Sequence, residues 1–383
     1  MALNDAWVGE WAKARRILCI RLDNLGDVVM TTPAIRALRE SGPEDRRLAL
    51  LASHAAAALA PYLSDVDDVL ALDAPWVKHD RTDVGELRRM AARLRRRAFD
   101  AAVIFTVYSQ SPLPAAMLCH FAGIPRVLGH CRENPYHLLS HWLPESEPER
   151  GIRHEVQRQL DLVAAVGAHT ADQRLQFRIR PADRCSLGAK LKALGVNDAG
   201  GWIVVHAGAS AASRRYPEDG FSRVLSLLET GGRPVILTGS NEEHAMVSRI
   251  ISASTGTGLV DAAGKLGLGE LACLIDDADL LISNNTGPVH LAAALQTPVL
   301  DLYALTNPQH TPWRVESRVL SHEVDCKYCY RSVCPRGHNA CLTGIAPEEI
   351  AHAAQQLLET VCTPLESMPL STIALPHWSP MAG

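Results

Sequence analysis

A chain of 383 residues is longer than one core usually organises, so two domains are expected, and 47% hydrophobic with 21% charged residues are ordinary values for a folded soluble chain. The net charge of −4 leaves no basic footprint for nucleic acid, although residues 1–180 carry 24 Lys and Arg against 22 Asp and Glu, and the remainder 14 against 20. The slight positive balance makes the first half the better host for an anionic partner. In chain order, the first 20 residues include Asp5, Glu10, Lys13, Arg15 and Arg16 and lack a signal-peptide apolar stretch, which predicts a cytoplasmic protein. No apolar run reaches the roughly 18–20 residues that span a bilayer, so any membrane association is at most peripheral.

Apolar runs of strand length then alternate with helical patterns, the signature of parallel βαβ construction. Strands are predicted at 17–21, 48–52 and 101–105 in the first half, with helices at 34–39 and 84–97 between them. The second half repeats the scheme, with strands at 202–206, 234–238, 278–283 and 299–303. A polar stretch at 167–183 reads as the interdomain connection, and the proline-bearing residues 364–383 read as an irregular tail. Arg88, Arg89, Arg93, Arg95, Arg96 and Arg97 fall at helical spacing and are expected on a solvated helix face.

Chemistry enters at four places. After the first strand, the turn around Gly26 brings Asp27 to the carboxyl end of the sheet, where open α/β sheets collect ligands. Asp27 could take a proton from an attacking hydroxyl or simply cap the next helix; Asp23 and Asn24 compete for either task, and Thr31 or Thr32 before Pro33 offers a later helix start. The segment Asn284, Asn285, Thr286, Gly287, Pro288 leads from a strand into a helix of small residues, whose N-terminal N–H groups would attract phosphate. Neither GxGxxG nor GxxxxGK[ST] occurs, which argues against a dehydrogenase or a P-loop enzyme. The loop HAGASAASRRYP places Arg214 and Arg215 after another strand as partners for a diphosphate, and Glu242 or Glu243 could meet a ribose diol or begin a helix. Cys326, Cys329, Cys334 and Cys341, with His338 nearby, have partial metal-knuckle spacing, so a structural zinc or iron site and a loop of reduced thiols are both open. Cys19 and Cys273 read as core residues.

RLDNLGDVVMTTPAIRAL, HAGAS followed by RRYP, LTGSNEE and ADLLISNNTGPVHLAAALQTPVLDLYALTNP together resemble the heptosyltransferases of glycosyltransferase family 9, over about residues 16–361. The resemblance implies an α/β chain of GT-B fold, with two Rossmann-like domains facing a central cleft. Residues 1–175 would form the acceptor domain and 176–363 the nucleotide-sugar domain, which carries the Cys-rich loop 326–341 and a last helix near 347–361 that crosses back onto the first. It implies an inverting glycosyltransferase that moves heptose from ADP-heptose to a glycan or glycolipid such as the lipopolysaccharide inner core, without a catalytic cofactor. Asp27 matches the general base, Thr286 and Gly287 the diphosphate site, His290 the same helix start, Arg214 a common lysine and Glu243 a ribose-binding acid. Asn285 stands where the family usually has an acid, which leaves open another sugar or a small-molecule acceptor, or a binding protein without catalysis. Arg132 and Glu133, in a loop of the first domain, are candidate acceptor contacts.

Overall fold

Strands buried along almost their whole length need cover on both faces, and this chain supplies it with helices on either side of two parallel sheets. The computed structural model describes residues 5–77, 84–196 and 201–362. The first sheet uses β1 (Arg16–Arg21), β2 (Arg47–Ala52), β3 (Asp68–Ala71), β4 (Ala101–Ile104), β5 (Arg126–Cys131) and β6 (His141–Pro144). Its helices are α1 (Asp5–Ala12), α2 (Leu25–Glu40), α3 (His54–Ala57), α4 (Val84–Arg97), α5 (Leu113–Ala122) and α6 (Glu155–Ala164). The second sheet uses β7 (Ile203–His206), β8 (Val235–Thr238), β9 (Leu259–Asp261), β10 (Leu280–Asn284), β11 (Val299–Leu302) and β12 (Ser317–Leu320). Around it lie α7 (Pro181–Ala193), α8 (Glu218–Leu227), α9 (His244–Ala253), α10 (Leu268–Asp276), α11 (Gly287–Leu295), α12 (Ala340–Thr343) and α13 (Pro347–Cys362).

The strand orders are β3-β2-β1-β4-β5-β6 and β12-β11-β10-β7-β8-β9, the same doubly wound pattern read from opposite edges. Each order reverses beside its first strand, at β1/β4 and β7/β10, where Ile20 pairs with Ile104 and Ser283 with His206. Loops diverge at such a reversal and leave a crevice at the carboxyl ends of the strands. The Asp27, Arg214 and Thr286 segments follow β1, β7 and β10, so the topology alone gathers them.

β3, β5, β6, β9 and β12 are additional to the strands expected from sequence. β3, β9 and β12 are three or four residues long and half-exposed, so they lack a long apolar run. The helix after β1 begins at Leu25, and Pro33 lies inside it. A mid-helix proline leaves the carbonyl four residues earlier without its usual donor, and the Thr32 hydroxyl takes that place by donating to the Val29 carbonyl at 2.6 Å.

The last helix does not cross back as expected. α13 packs on α8 and on β10, β11 and β12. Ile350, Ala354, Leu357 and Leu358 are buried there in the core of the second sheet. Burying each large side chain contributes about 1.5–3 kcal/mol, ample reason for the helix to stay on its own sheet. Contact between the halves is made instead by α2 against α11, within an apolar cluster that includes Val28, Val29, Val289 and Ala292. The connector runs along the first half, where Arg36 donates to the Asp172 carbonyl at 2.8 Å and the Gln176 N–H to Thr32 at 3.0 Å. The tail 364–383 lies outside the described residues. No described helix is long and apolar enough to cross a membrane.

Candidate active site

Arg21, the last residue of β1, is the hub of the first half of the site. Its guanidinium is fully buried and meets Asp23 at 2.9 Å, Asp27 at 3.3 Å and Glu155, the first residue of α6, at 2.6 Å. Asp27 also accepts the Asn24 N–H at 3.1 Å, so it caps α2 through one oxygen and faces Arg21 through the other. The cap expected as one of its two roles is therefore present, and it leaves the other oxygen toward Arg21. Burial pushes the Asp27 carboxyl up to about 6; Arg21 draws it down, while Asp23 and Glu155 raise it further. One guanidinium thus faces three carboxyl groups, and the Asp27 side chain is 15% exposed.

Opposite lies the start of α11. Gly26 is so close to this helix that a Cβ there would lie 2.7 Å from His290 and 3.6 Å from the Gly287 backbone. The two sequence motifs, some 260 residues apart, therefore touch at their helix N-termini. Thr286 caps α11 in extended conformation, and a Cβ on Gly287 would meet only Leu25, at 3.9 Å, so an anion can approach the backbone. His290 is buried and its pKa is driven down to about 3, first by burial, then by His154 and Arg214. It is therefore neutral, and its Nδ1 has no partner among the described residues.

Asn285 departs from its expected place on the phosphate. Its amide is buried and donates to Asp301 Oδ2 at 2.7 Å and to the His310 carbonyl at 3.0 Å, which uses both hydrogens. Asp301 is wholly buried in β11, and burial raises its carboxyl to about 8 against the pull of Asn285 and Arg214. An acid at 285 would set two carboxyl groups against each other, whereas an amide donates to one oxygen of the carboxyl that is there.

Arg214 ends a short turn beside a cavity of about 100 Å³ and donates to Asn307 at 3.3 Å. Its charge reaches His290, Asp301 and His310, which places it beside the α11 end of the cleft. Arg215 is turned back onto the Ala209 carbonyl at 2.7 Å. Glu243 enters the space beside Gly208, where a Cβ would lie 2.2 Å from its carboxylate, and it accepts the Ser240 N–H at 2.8 Å. Glu242 is exposed.

On the first-domain side, Arg132 and Glu133 line a cavity of about 200 Å³ with Ser109 and Gln110. Arg132 donates to the Glu147 carbonyl at 2.6 Å, and Glu133 accepts from Ser111 at 3.0 Å. A neighbouring cavity of about 310 Å³ reaches Asp23 itself, which Gln110 holds at 2.6 Å.

The four cysteines do not close into a tetrahedral site. Among the described residues, no three His, Cys, Asp or Glu side chains converge on a point that could hold a metal ion. Cys326 is 3.8 Å from His338, while Cys341 rides on α12 against the second core. Burial raises the Cys334 thiol, but the N–H groups of Asn339, Arg336, His338 and Gly337 outweigh it and leave the pKa below its ordinary value. The loop reaches the cleft by other means: Tyr330 meets Tyr108 edge to face at 5.7 Å, and Ser213 donates to the Arg331 carbonyl at 2.7 Å.

The profile of Glycosyltransferase family 9 (heptosyltransferase) matches residues 87–363. The chain belongs to this family. Lipopolysaccharide heptosyltransferase 3 of Escherichia coli (strain K12) is 27% identical over 329 residues, covering 81% of this chain and 92% of that one. Among solved structures, the glycosyl transferase family 9 protein of Veillonella parvula has a TM-score of 0.75 at 20% identity, covering 91% and 98% of the two chains. The E. coli ADP-heptose lps heptosyltransferase II has a TM-score of 0.71 at 21% identity, covering 90% and 99%. This family 9 chain thus has the GT-B fold and is a glycosyltransferase. The profile match begins beyond Asp27, so the part of the site around Arg21 rests on its geometry.

Arg21, Glu155, Asp301, Asn307 and His310 line the candidate site without having been singled out from sequence, whereas Gln110 lies in the loop 109–116 expected to help form the acceptor pocket. Arg21 before LDNLGD and Asp301 inside the apolar VLDL are charges in largely apolar strands, a signal that was there to read.

Proposed function

We propose that the protein is an inverting glycosyltransferase that moves a heptose from ADP-heptose to a hydroxyl of a glycan acceptor such as the lipopolysaccharide inner core, with Asp27 as general base. We take residues 1–175 as the acceptor domain and 176–363 as the donor domain. The observation that carries this reading is the contact of the α2 and α11 N-terminal turns, which sets an accessible carboxylate opposite an anion-seating helix end.

The acceptor sugar enters the cavity beside Asp23 and Gln110. Asp27 takes the proton of the attacking hydroxyl, and a base so placed supplies roughly 100- to 10,000-fold in rate. The departing diphosphate gathers negative charge and is held by the α11 N-terminus, Thr286 and Arg214. Glu243 takes the ribose. His290, neutral and buried behind Gly26, adds no charge that would hold the product. The names of the relatives support ADP-heptose as donor, and the pairing of Asn285 with Asp301 gives the amide a structural role that is compatible with catalysis.

Asp27→Ala is expected to abolish transfer from ADP-heptose while leaving ADP binding within about twofold, since the donor seat lies on the other domain; transfer at the wild-type rate would remove Asp27 from the base role. A thermal shift with ADP larger than with UDP or GDP is the expected donor signature, and equal shifts would count against the adenine nucleotide.

A further inference from the structure

Cys329 and Cys334 bracket a short segment whose backbone is built into the second-domain side of the cleft. The Ser213 N–H donates to the Ser332 carbonyl at 3.0 Å and its hydroxyl to the Arg331 carbonyl at 2.7 Å, so the turn that ends in Arg214 rests on the main chain of this segment. The Tyr330 N–H donates to the Thr306 carbonyl at 2.9 Å, next to Asn307, the partner of Arg214. Tyr328 and Tyr330 both have left-handed backbone, with φ of 60° and 54°. Bulky residues rarely adopt that conformation, and it persists where surrounding contacts impose it, often at ligand clamps.

The side chains here suit an anion followed by a sugar. Arg331 lines the cavity of about 100 Å³ with Arg214, Thr306, Asn307 and Ser332, and no acid shares its wall. Arg331 is exposed and has no carboxylate partner among the described residues. Two guanidinium groups beside hydroxyl and amide groups match a ligand with several anionic oxygens. Tyr330 lines the same cavity, is 39% exposed, and meets Tyr108 edge to face at 5.7 Å. Tyr108 in turn lines the first-domain cavity of about 200 Å³ with Gln110. The two rings therefore bridge an anion-suited pocket and the acceptor-side pocket, and a sugar passing from one to the other runs along them.

We propose that residues 330–332 form the outer wall of the donor site, with Arg331 pairing with the diphosphate beside Arg214 and Tyr330, backed by Tyr108, packing on the sugar being transferred. The sugar contact rests on the glycosyltransfer reading; the diphosphate contact does not. Ser213 is held by main-chain carbonyls, so side-chain replacements at 330 and 331 leave the Arg214 turn supported.

The test is calorimetric binding of ADP, AMP and ADP-heptose to the full chain. R331Q should weaken ADP about fivefold to tenfold and AMP less than about twofold, since AMP lacks the second phosphate. Y330A should leave ADP within about twofold and weaken ADP-heptose about fivefold, and Y330F should bind both as the wild type does. Wild-type ADP affinity in R331Q, or equal loss of ADP and AMP, would overturn the diphosphate contact. Equal effects of Y330A on ADP and ADP-heptose would overturn the sugar contact. In turnover, Y330A and Y108A should each raise hydrolysis of ADP-heptose relative to transfer, and the double variant should do little more than either, because both open the same wall to water. An unchanged ratio in the single variants would remove the pair from that wall. If the wild type binds ADP-heptose but transfers to no glycan, the glycosyltransfer reading fails, while the binding differences still decide whether 330–332 line the donor site.

Discussion

On the proposed reading, Asp27 serves two demands at once. As a cap it needs a fixed position, and as a base it needs a pKa close to the working pH; Arg21 fixes it, while burial and two further carboxylates raise its pKa. With the carboxyl at about 6, kcat/KM should rise with pH through an apparent pKa near that value and fall below it as the base takes up a proton. A flat profile across this range would contradict the assignment. Asn285 yields a second expectation. Asp301 has a raised folded pKa of about 8, so the stability it contributes is greatest below its unfolded value and is lost as pH rises through the folded one. Asn285→Asp adds a second acid at the same contact and should cost about 2–4 kcal/mol above pH 8, much of it recovered near pH 5. Urea midpoints at the two pH values would show it, and equal losses at both would rule out charge repulsion as the cause. Gly208 is the third case, because a methyl group there displaces the Glu243 carboxylate. Gly208→Ala should weaken nucleotide binding about tenfold, the worth of one charge-assisted hydrogen bond, with little change in melting temperature.

Among the elements, the buried central strands were legible because parallel strands covered on both faces leave unbroken apolar runs such as ILCI and LLIS. The edge strands were not, since half-exposed segments like DVLA and SRVL carry no period that separates them from loops. The same logic divides the site. Asp27, Thr286 and Gly287 sit at strand-to-helix turns, which sequence marks well; Glu155 is brought in only by the packing of α6 on α2, and no local pattern could announce that. In sequence the cysteine loop is open between a metal site and free thiols because its spacing is only partly that of a knuckle; among the described residues no three such ligands converge, and backbone N–H groups approach Cys334. If Arg214 and the α11 N-terminus hold the diphosphate as proposed, transfer is expected to survive EDTA. Loss of activity restored by Mg²⁺ or Mn²⁺ would show that a cation shares that task.

For the whole molecule, the decisive contact is α2 on α11. Gly26→Val would drive a branched side chain into His290 and should cost about 1–3 kcal/mol by overpacking. It should also depress transfer while ADP still binds, because the donor seat is intact and only the approach of the two halves is spoiled; unchanged transfer would mean that the contact is dispensable. The placement of α13 bears on the same question. Since that helix stays with α8 and β10–β12, each sheet and its covering helices come from one uninterrupted stretch of chain. A single crossover in the 167–180 connector would therefore exchange a complete donor half between relatives, with no trailing helix left to mismatch. The seam that such chimaeras must respect includes Gly26 against Gly287 and His290, His154 and Glu155 against Thr311 and Gln309, and Tyr108 against Tyr330.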